Sequence, residues 1–294
     1  MRSITEAGDL KGKRVLVRVD WSDGDSFRIN SSQNTIKYLL DAGAKVILAT
    51  HIDQNTEDLA KFVPEGAELL PNLRDNAGEE ANSEEFAIDL AVKADIYVNE
   101  AFSASHRKHA SIVGVPKLLP SYAGIRFLEE LKALGRAFNP PHPFLLILAG
   151  VKFETKLPLV EKFLNIADTI FIGGAIAKNV SIENPKIILS TGDLSALDAN
   201  EETLNLLREK ILGANFIVWN GPLGKYEEGY TKYTHELARV LAGSGKDTII
   251  GGGDTLKSIE ELNILEKFSF VSTGGGAMLD FLAEGTLPGI EALK

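Results

Sequence analysis

Residues 144–156 read FLLILAGVKFETK. An apolar run ends at Gly150, and two lysines, Lys152 and Lys156, follow it. An unbroken apolar run of this length is typical of a strand that is covered on both faces, as in a parallel sheet. The following residues, 156–166, have the spacing of an amphipathic helix. The stretch therefore predicts a buried strand, a turn at Gly150 and a helix, which together form the repeating unit of an α/β fold.

The same unit repeats along almost the whole chain. The predicted strands are 14–20, 45–50, 96–99, 144–149, 169–172, 186–189, 216–220, 248–251 and 268–272. The predicted helices between them include 35–42, 83–94, 156–166, 202–212, 230–242 and 254–262. This alternation predicts an α/β protein with two Rossmann-like, doubly wound parallel-sheet lobes.

The boundary between the two lobes is expected at residues 139–143, which read NPPHP. A proline cluster cannot continue a helix, whereas residues 125–138 carry apolar side chains near helical spacing. We therefore predict an N-terminal lobe over 1–124, one long connecting helix over 125–139 and a C-terminal lobe over 140–276. The length of 294 residues is that of about two domains.

Composition limits the classes of function. The chain has no cysteine, which excludes disulfides, thiolate metal sites and a cysteine nucleophile. Its formal net charge of -10 disfavours nucleic acid as a partner, because such binding needs a positive surface. No apolar run is long enough to span a bilayer, and residues 1–10 lack the apolar core of a secretion signal. We therefore expect a cytoplasmic protein with neither membrane nor nucleic acid as partner.

Glycines cluster after the predicted strands of the C-terminal lobe. They occur at 150, 173–174, 221, 224, 251–253 and 274–276. At the carboxyl ends of parallel strands, glycines let backbone N–H groups approach a ligand, and Lys152 and Lys156 would add positive charge. The arrangement suits a polyphosphate, with simple strand-to-helix turns as the alternative. Asp254 opens the helix that follows Gly253, either as its N-cap or as an oxygen ligand of Mg²⁺.

Charged residues end or follow the predicted strands of the N-terminal lobe. They are Arg18, Asp20, Arg28, His51, Arg74 and Arg107. Guanidinium groups pair with carboxylates and phosphates through two hydrogen bonds, so several at one sheet edge suit a small phosphorylated acid. Solvated surface charge is the alternative for each residue taken alone. His106 and His109 lack the partners of a metal site and are not interpreted as one.

Several segments resemble the phosphoglycerate kinase family. In the N-terminal lobe they are residues 13–20 (KRVLVRVD), 35–48 (TIKYLLDAGAKVIL), 94–102 (ADIYVNEAF) and 106–111 (HRKHAS). In the C-terminal lobe they are residues 218–224 (VWNGPLG), 249–255 (IIGGGDT) and 272–277 (STGGGA). They follow the family's order in both lobes, so the resemblance spans the chain.

The resemblance implies a monomeric glycolytic enzyme whose two lobes face each other across a cleft. Its reaction would be the reversible, Mg²⁺-dependent transfer of a phosphoryl group between 1,3-bisphosphoglycerate and ADP, giving 3-phosphoglycerate and ATP. The resemblance also implies that residues 277–294 return to the N-terminal lobe.

The matched motifs also imply roles for individual residues. The acid substrate would be bound by Asp20, Ser22, Arg28, His51, Arg74 and Arg107. The nucleotide would be bound by Lys156, Gly174, Asn220, Glu227, Gly252, Gly253, Asp254 and Thr255, with Mg²⁺ at Asp254. The catalytic residues would be Arg28, Lys152, Lys156, Gly275 and Gly276, which position the transferring group and stabilise its charge.

The chain departs from the family pattern in places. Ser22 stands where the family has asparagine, Gln54 stands where it has arginine, and the stretches 56–69 and 177–197 are shortened. We therefore expect trimmed substrate pockets around an intact set of phosphoryl-transfer residues. Two alternatives stay open: a kinase of the same fold that acts on another small carboxylate, and a non-catalytic protein that only binds its ligands.

Overall fold

The computed structural model describes residues 1–22, 26–52, 59–151 and 156–294. Within these ranges the strands are β1 (Arg14–Arg18), β2 (Lys45–Ala49), β3 (Ala67–Leu69), β4 (Ile96–Asn99), β5 (Ser121–Ala123), β6 (Phe144–Leu148), β7 (Thr169–Ile172), β8 (Ile187–Leu189), β9 (Phe216–Asn220), β10 (Asp247–Gly251) and β11 (Phe270–Val271). The α-helices are α1 (Ser26–Asp41), α2 (Glu84–Ala91), α3 (Ile125–Gly135), α4 (Leu157–Phe163), α5 (Glu201–Gly213), α6 (Lys232–Ser244), α7 (Gly253–Glu261), α8 (Gly275–Glu284) and α9 (Pro288–Glu291). No helix in these ranges is long and apolar enough to cross a membrane.

Two parallel sheets confirm the predicted fold class. The first has the strand order β3-β2-β1-β4-β5, and the second has the order β11-β10-β9-β6-β7-β8. In each sheet the first three strands along the chain lie side by side toward one edge, and the later strands are added on the other side of the first strand. The strand order therefore reverses between β1 and β4 in the first sheet and between β6 and β9 in the second. Ligands of open α/β sheets bind at such reversals, outside the carboxyl ends of the strands.

The chain divides into two compact units. Unit 1 comprises Met1–Lys132 and Glu284–Lys294, and unit 2 comprises Ala133–Ala283. The first division falls inside α3, whereas the sequence placed the start of the C-terminal lobe at 140. The chain rejoins unit 1 at Glu284 instead of 277, because α8 packs within unit 2: the ring of Phe281 lies 5.6 Å from that of Phe138.

Unit 1 is organised around β1. Val15, Leu16 and Val17 are buried in the middle of the sheet, and Ile36 and Leu39 of α1 belong to the same core as two of them. The helix α1 begins at Ser26, well before the predicted start at 35, because the polar run at residues 30–34 hides its first turns from periodicity. The strands β3 and β5 were not predicted, since edge strands of three residues give no periodic signal.

Unit 2 is organised around β6, the strand on which the sequence prediction was founded. All five of its residues are buried, which confirms the interpretation of its apolar run. The ring of Phe144 lies 5.9 Å from that of Phe163 in α4 and 5.2 Å from that of Phe216 in β9. The predicted helix over 125–139 is α-helical only to Gly135 and ends in a 3-10 turn at Arg136–Phe138.

Candidate functional site

Arg18 and His51 form the centre of the candidate site in unit 1. Arg18 ends β1 and is only 1% exposed, and His51 follows β2 and is 3% exposed. The Arg18 guanidinium donates from Nε to Ser111 Oγ at 2.9 Å and from Nη1 to the carbonyl of Val19, and its Nη2 lies 2.9 Å from His51 Nδ1. A fully buried arginine at the end of an apolar strand is unusual, because a buried charge must be paired. Sequence reasoning noted Arg18 but gave it no role.

Asp20 supplies the negative charge next to this pair. Its Oδ2 lies 3.7 Å from Arg28 Nη1 and accepts a hydrogen bond from Ser103, a residue that the sequence analysis did not single out. Its Oδ1 lies 3.8 Å from His51 Nδ1 and accepts no hydrogen bond from the described residues. Burial acts to raise the pKa of Asp20, but Arg28, the Ser103 hydroxyl and Arg18 hold that pKa far below its usual range. Asp20 is therefore a carboxylate at all ordinary pH values.

Arg74 and Arg107 face His51 from two further segments. Arg107 Nη1 lies 3.2 Å from His51 Nε2, and Arg74, in a 3-10 turn after β3, pairs through Nε with Glu80 at 3.1 Å. Burial and the nearby guanidinium groups lower the pKa of His51 to about 3, although Asp20 opposes them. His51 is therefore neutral near pH 7, while the arginines around it stay charged.

We call Arg18, Arg28, Arg74 and Arg107 the guanidinium cluster. Each member acts electrostatically on His51 or Asp20, and Asp20 is the carboxylate that lies among them. Among the described residues, these four guanidinium groups outnumber the nearby carboxylates, which are Asp20, the Glu80 partner of Arg74 and Glu79 behind Ser111. The surplus of positive charge favours an anionic ligand. The residues come from the ends of β1, β2 and β3, from α1 and from the segment after β4, so the fold brings together what the sequence separates.

A buried group of hydrogen bonds supports this cluster from behind. Glu79 is 0% exposed and accepts from the Ser111 hydroxyl at 2.6 Å and from the Ser111 N–H at 2.9 Å. His109 Nδ1 lies 3.8 Å from Glu79, and burial lowers the pKa of His109. Among the described residues no group of three or more histidine, cysteine and acidic side chains is arranged to hold a metal ion. Ser22 is buried, and Gln54 lies outside the described residues.

In unit 2 the glycines after the strands lie next to one another. A methyl group added to Gly174 would come within 2.9 Å of the Gly150 nitrogen, and one added to Gly275 would come within 3.3 Å of the Gly252 Cα. We call Gly150, Gly174, Gly221, Gly252 and Gly275 the glycine edge. Side chains at these positions would fill the space in which a ligand can approach the backbone. The sequence prediction that these turns meet at one sheet edge agrees with this geometry.

Gly221 is the most constrained of these glycines. Its φ of +97° suits glycine, and an added methyl group would overlap the carbonyl oxygen of Ala149. We expect Gly221→Ala to lower the free energy of unfolding by about 2 kcal/mol or more, since it combines backbone strain with a backbone clash. Urea unfolding would measure this, with Gly243→Ala in α6 as the control because its added methyl group meets nothing within 4 Å. Equal stability of the two variants would contradict the expectation.

Asp254 and Thr255 lie in the first turn of α7. The N-cap of α7 is Gly252 and no side chain caps it, so the N-cap interpretation of Asp254 is wrong. Thr255 is buried, and its hydroxyl accepts a hydrogen bond from the Gly221 N–H at 3.0 Å. Burial raises the pKa of Asp254; Lys257 opposes this rise and the negative charge of Glu227 adds to it. A half-buried carboxylate with a second acidic group nearby fits a divalent cation.

Of the two lysines predicted to bind phosphate, the structure describes only one, Lys156. Lys156 is the N-cap residue of α4 and is 6% exposed, and its Nζ lies 3.5 Å from the position of a methyl group on Gly150. Its ammonium group therefore lies beside the glycine edge. Lys152 falls outside the described residues. Asn220 ends β9 and is buried, with its amide nitrogen 3.5 Å from the position of a methyl group on Gly252.

Glu227, which the resemblance assigns to the nucleotide, is exposed in the 3-10 turn Tyr226–Glu228. The Tyr226 hydroxyl donates to Glu261 at 2.8 Å and lies 3.1 Å from His235 Nε2, so this turn is attached to both α6 and α7. Burial and Glu261 raise the pKa of Tyr226. This cluster could not be predicted, because its three members are unremarkable polar residues on three different elements.

Both sites lie at reversals of strand order, and both favour anions. Together they are typical of one class of protein, the α/β proteins that bind phosphorylated ligands. Comparison with known proteins narrows this class. The family model described as phosphoglycerate kinase matches residues 4–65, 53–185 and 178–285. The chain therefore belongs to the phosphoglycerate kinase family, as the sequence motifs predicted, and its relatives are phosphotransferases by name.

Individual relatives agree over nearly the full length. The phosphoglycerate kinases of Finegoldia magna and Solibacter usitatus are each 34% identical to it, with 97% of both chains covered. The crystal structure of phosphoglycerate kinase from Pyrococcus horikoshii is similar with a TM-score of 0.85 at 26% identity, covering 100% of this chain and 98% of that one. The structure of phosphoglycerate kinase from Coxiella burnetii gives 0.80 at 28% identity, with 99% and 98% covered.

The alignments also show where this chain is shorter. The alignment with the Finegoldia magna protein extends over 383 positions, although this chain has only 294 residues, so the relative has internal segments that this chain lacks. The pieces of the family match overlap at residues 53–65 and 178–185. Both overlaps fall in or beside the stretches that the sequence analysis expected to be shortened.

Proposed function

We propose that this protein catalyses the reversible transfer of a phosphoryl group between 1,3-bisphosphoglycerate and ADP, giving 3-phosphoglycerate and ATP, with Mg²⁺ bound to the nucleotide. The observation that carries the proposal is the guanidinium cluster at the strand reversal of unit 1, in a chain that belongs to the phosphoglycerate kinase family. The proposal places the acid substrate in unit 1 and the nucleotide in unit 2.

The acid substrate carries a phosphate and a carboxylate, and the guanidinium cluster matches this charge. Arg28, Arg74 and Arg107 would donate to phosphate or carboxylate oxygens, and charge-assisted hydrogen bonds of this kind are stronger than neutral ones. Asp20 would accept a hydroxyl hydrogen through its otherwise unbonded Oδ1. His51 would donate a hydrogen bond without adding a positive charge, because its pKa is lowered to about 3.

The nucleotide phosphates would meet backbone N–H groups on the glycine edge. The first turns of α7 and α8 begin at Gly253 and Gly275, and the N–H groups of a first helical turn have no partner within the helix. Lys156 would add a positive charge, and Glu227 would accept hydrogen bonds from the ribose hydroxyls. When bound, Mg²⁺ would neutralise phosphate charge, and Asp254 would be its protein ligand, in keeping with its preference for carboxylate and phosphate oxygens.

The reaction itself requires little covalent help from the protein. In the direction of ATP formation, the bond between phosphorus and the acyl oxygen breaks, and a bond forms between phosphorus and a β-phosphate oxygen of ADP. The acyl oxygen keeps the electron pair and becomes part of the carboxylate of 3-phosphoglycerate. Charge on the oxygens of the transferring group would be stabilised by Lys152, Lys156 and the N–H groups of Gly275 and Gly276.

A coupled assay with 3-phosphoglycerate and MgATP tests the proposal. We expect saturable formation of ADP that depends on Mg²⁺ and on the acid, and that is lost in the variant Arg107→Met. Other small acids, such as glycerate and acetate, serve as parallel substrates. Turnover of one of these without turnover of 3-phosphoglycerate would favour the kinase of another carboxylate, and nucleotide binding without any turnover would favour the non-catalytic alternative.

The departures at Ser22 and Gln54 give a prediction about the acid substrate. A glutamine cannot form the charged, two-bond contact of an arginine, so we expect Gln54→Arg with Ser22→Asn to lower KM for 3-phosphoglycerate by about 10-fold. Because Ser22 is buried, Gln54→Arg alone is the matched comparison, free of any strain from a larger buried side chain. Saturation kinetics at fixed MgATP measure both variants, and an unchanged KM in both would contradict the prediction.

The proposal also includes a monomer in the cytoplasm. The absence of cysteine fits the reducing cytoplasm, and the monomer rests on the family resemblance alone. Light scattering on the eluting protein would test the monomer, and a mass of twice 31.9 kDa would overturn it.

A further inference from the structure

His51 lies between two guanidinium groups, one on each ring nitrogen. Arg18 Nη2 is 2.9 Å from Nδ1, and Arg107 Nη1 is 3.2 Å from Nε2. A guanidinium group can only donate hydrogen bonds, and a neutral imidazole has one nitrogen that accepts and one that carries a hydrogen. His51 is neutral in the company of these charges. Therefore only one of the two contacts can be a hydrogen bond, and the other brings two N–H groups face to face.

The contact with Arg18 is the hydrogen bond. It is the shorter of the two, and Arg18 is fully buried, with its Nε directed at Ser111 and its Nη1 at the Val19 carbonyl. An N–H of Arg18 that turned away from Nδ1 would have no water to bind, whereas Arg107 is half-buried and can donate to solvent. Nδ1 is therefore the acceptor, and the hydrogen of the ring is on Nε2.

We infer that Arg18 is a positioning residue that fixes His51 in its Nε2–H tautomer, so that His51 and Arg107 present two adjacent donors to one anionic oxygen. The inference rests on the proposed function only for the identity of that anion, a phosphate or carboxylate of the acid substrate. Two donors 3.2 Å apart repel each other, and an oxygen that accepts a hydrogen bond from each would satisfy both. Arg18 is buried behind His51 and acts through the histidine.

Asp20 favours the opposite tautomer. Its unbonded Oδ1 lies 3.8 Å from Nδ1, and a hydrogen on Nδ1 would be attracted to it. The charged groups around His51 are thus Arg18, Asp20, Arg74 and Arg107. If Arg18 is removed, the hydrogen is expected to move to Nδ1 and His51 to become easier to protonate, because one of the positive charges that oppose protonation is gone.

The tautomer can be observed directly in the free protein by long-range ¹H–¹⁵N NMR spectroscopy of histidine rings, with His51→Gln used to assign the signals. We expect the pyridine-type ¹⁵N shift on Nδ1 of His51 and the pyrrole-type shift on Nε2, unchanged between about pH 5 and 8. A pyrrole-type shift on Nδ1, or a protonated ring near pH 7, would overturn the inference. This measurement needs no substrate, so it stands even if the proposed reaction is wrong.

Kinetics of Arg18→Met test the consequence for binding. We expect KM for 3-phosphoglycerate to rise about 10-fold with kcat little changed, and to fall again as the pH is lowered, whereas the parent KM stays flat over the same range. The control is Ser111→Ala, which removes another hydrogen bond of Arg18 but keeps its guanidinium group. This control should keep the parental tautomer and the flat pH profile.

Two further results would count against the inference. A flat pH profile in a folded Arg18→Met protein, or equal effects of Arg18→Met and Ser111→Ala, would reduce Arg18 to a structural role. Should Arg18→Met fail to fold, the spectra of the parent and of Ser111→Ala decide the matter. If the tautomer is as expected but no acid is turned over, the proposed function fails and the role of Arg18 stands.

Discussion

Replacing Lys152 by alanine is expected to lower kcat by about 100-fold or more, with much smaller changes in either KM. The proposed function assigns this lysine to the transferring phosphoryl group, where its charge would act mainly in the transition state. Interactions made only in the transition state appear in kcat, whereas interactions made equally with bound substrate appear in KM. Steady-state kinetics with each substrate varied in turn would separate the two.

Lys267→Ala is the matched control for Lys152→Ala. Lys267 is an exposed lysine of the same unit, in a 3-10 turn after α7, and its loss removes the same charge from the protein as a whole. We expect parental kcat in this control. A Lys152→Ala enzyme with near-parental kcat would remove Lys152 from catalysis, and one with a raised KM alone would make it a binding residue.

The second large effect is expected from Asp254→Asn, which should raise the Mg²⁺ concentration needed for half-maximal activity by roughly 10- to 100-fold. The substitution replaces the charged carboxylate by a neutral amide of nearly the same shape. Because Asp254 does not cap α7, its loss should change the free energy of unfolding by less than about 1 kcal/mol, the size of a charge interaction with a helix terminus. Activity measured over a range of Mg²⁺ concentrations, together with thermal unfolding, tests both statements.

The raised pKa of Asp254 adds a dependence on pH. Metal binding needs the ionised carboxylate, so Mg²⁺ affinity should begin to fall on acidification at a higher pH than it would for an ordinary aspartate. Asp254→Asn should abolish that part of the pH dependence. Glu266→Gln, which removes an exposed acidic charge from the same unit, is the control and should keep both the parental Mg²⁺ requirement and its pH profile. Full activity of Asp254→Asn at parental Mg²⁺ would show that Asp254 is not the metal ligand.

Local signals in the sequence determined the fold class and the family. The consecutive apolar residues of β6 indicate that this strand is buried on both faces. Because such strands alternate with helices along the chain, the sheets are parallel. The glycines after β6, β9 and β10 could also be placed at one sheet edge, because the carboxyl ends of parallel strands lie together. These glycines can be placed at the sheet edge without any knowledge of side-chain contacts.

Only the tertiary structure decided how the side chains act on one another. Arg18 meets His51 33 positions later and Ser111 93 positions later, and the hydrogen position on His51 depends on those contacts. Asp254 has the local sequence of an N-cap, yet the positive φ of Gly252 starts the helix earlier. Residues 277–283 belong to unit 2 through the packing of Phe281. Periodicity and propensity report on neighbours in the chain, whereas tautomers, shifted pKa values and unit boundaries depend on burial and charge that distant segments supply.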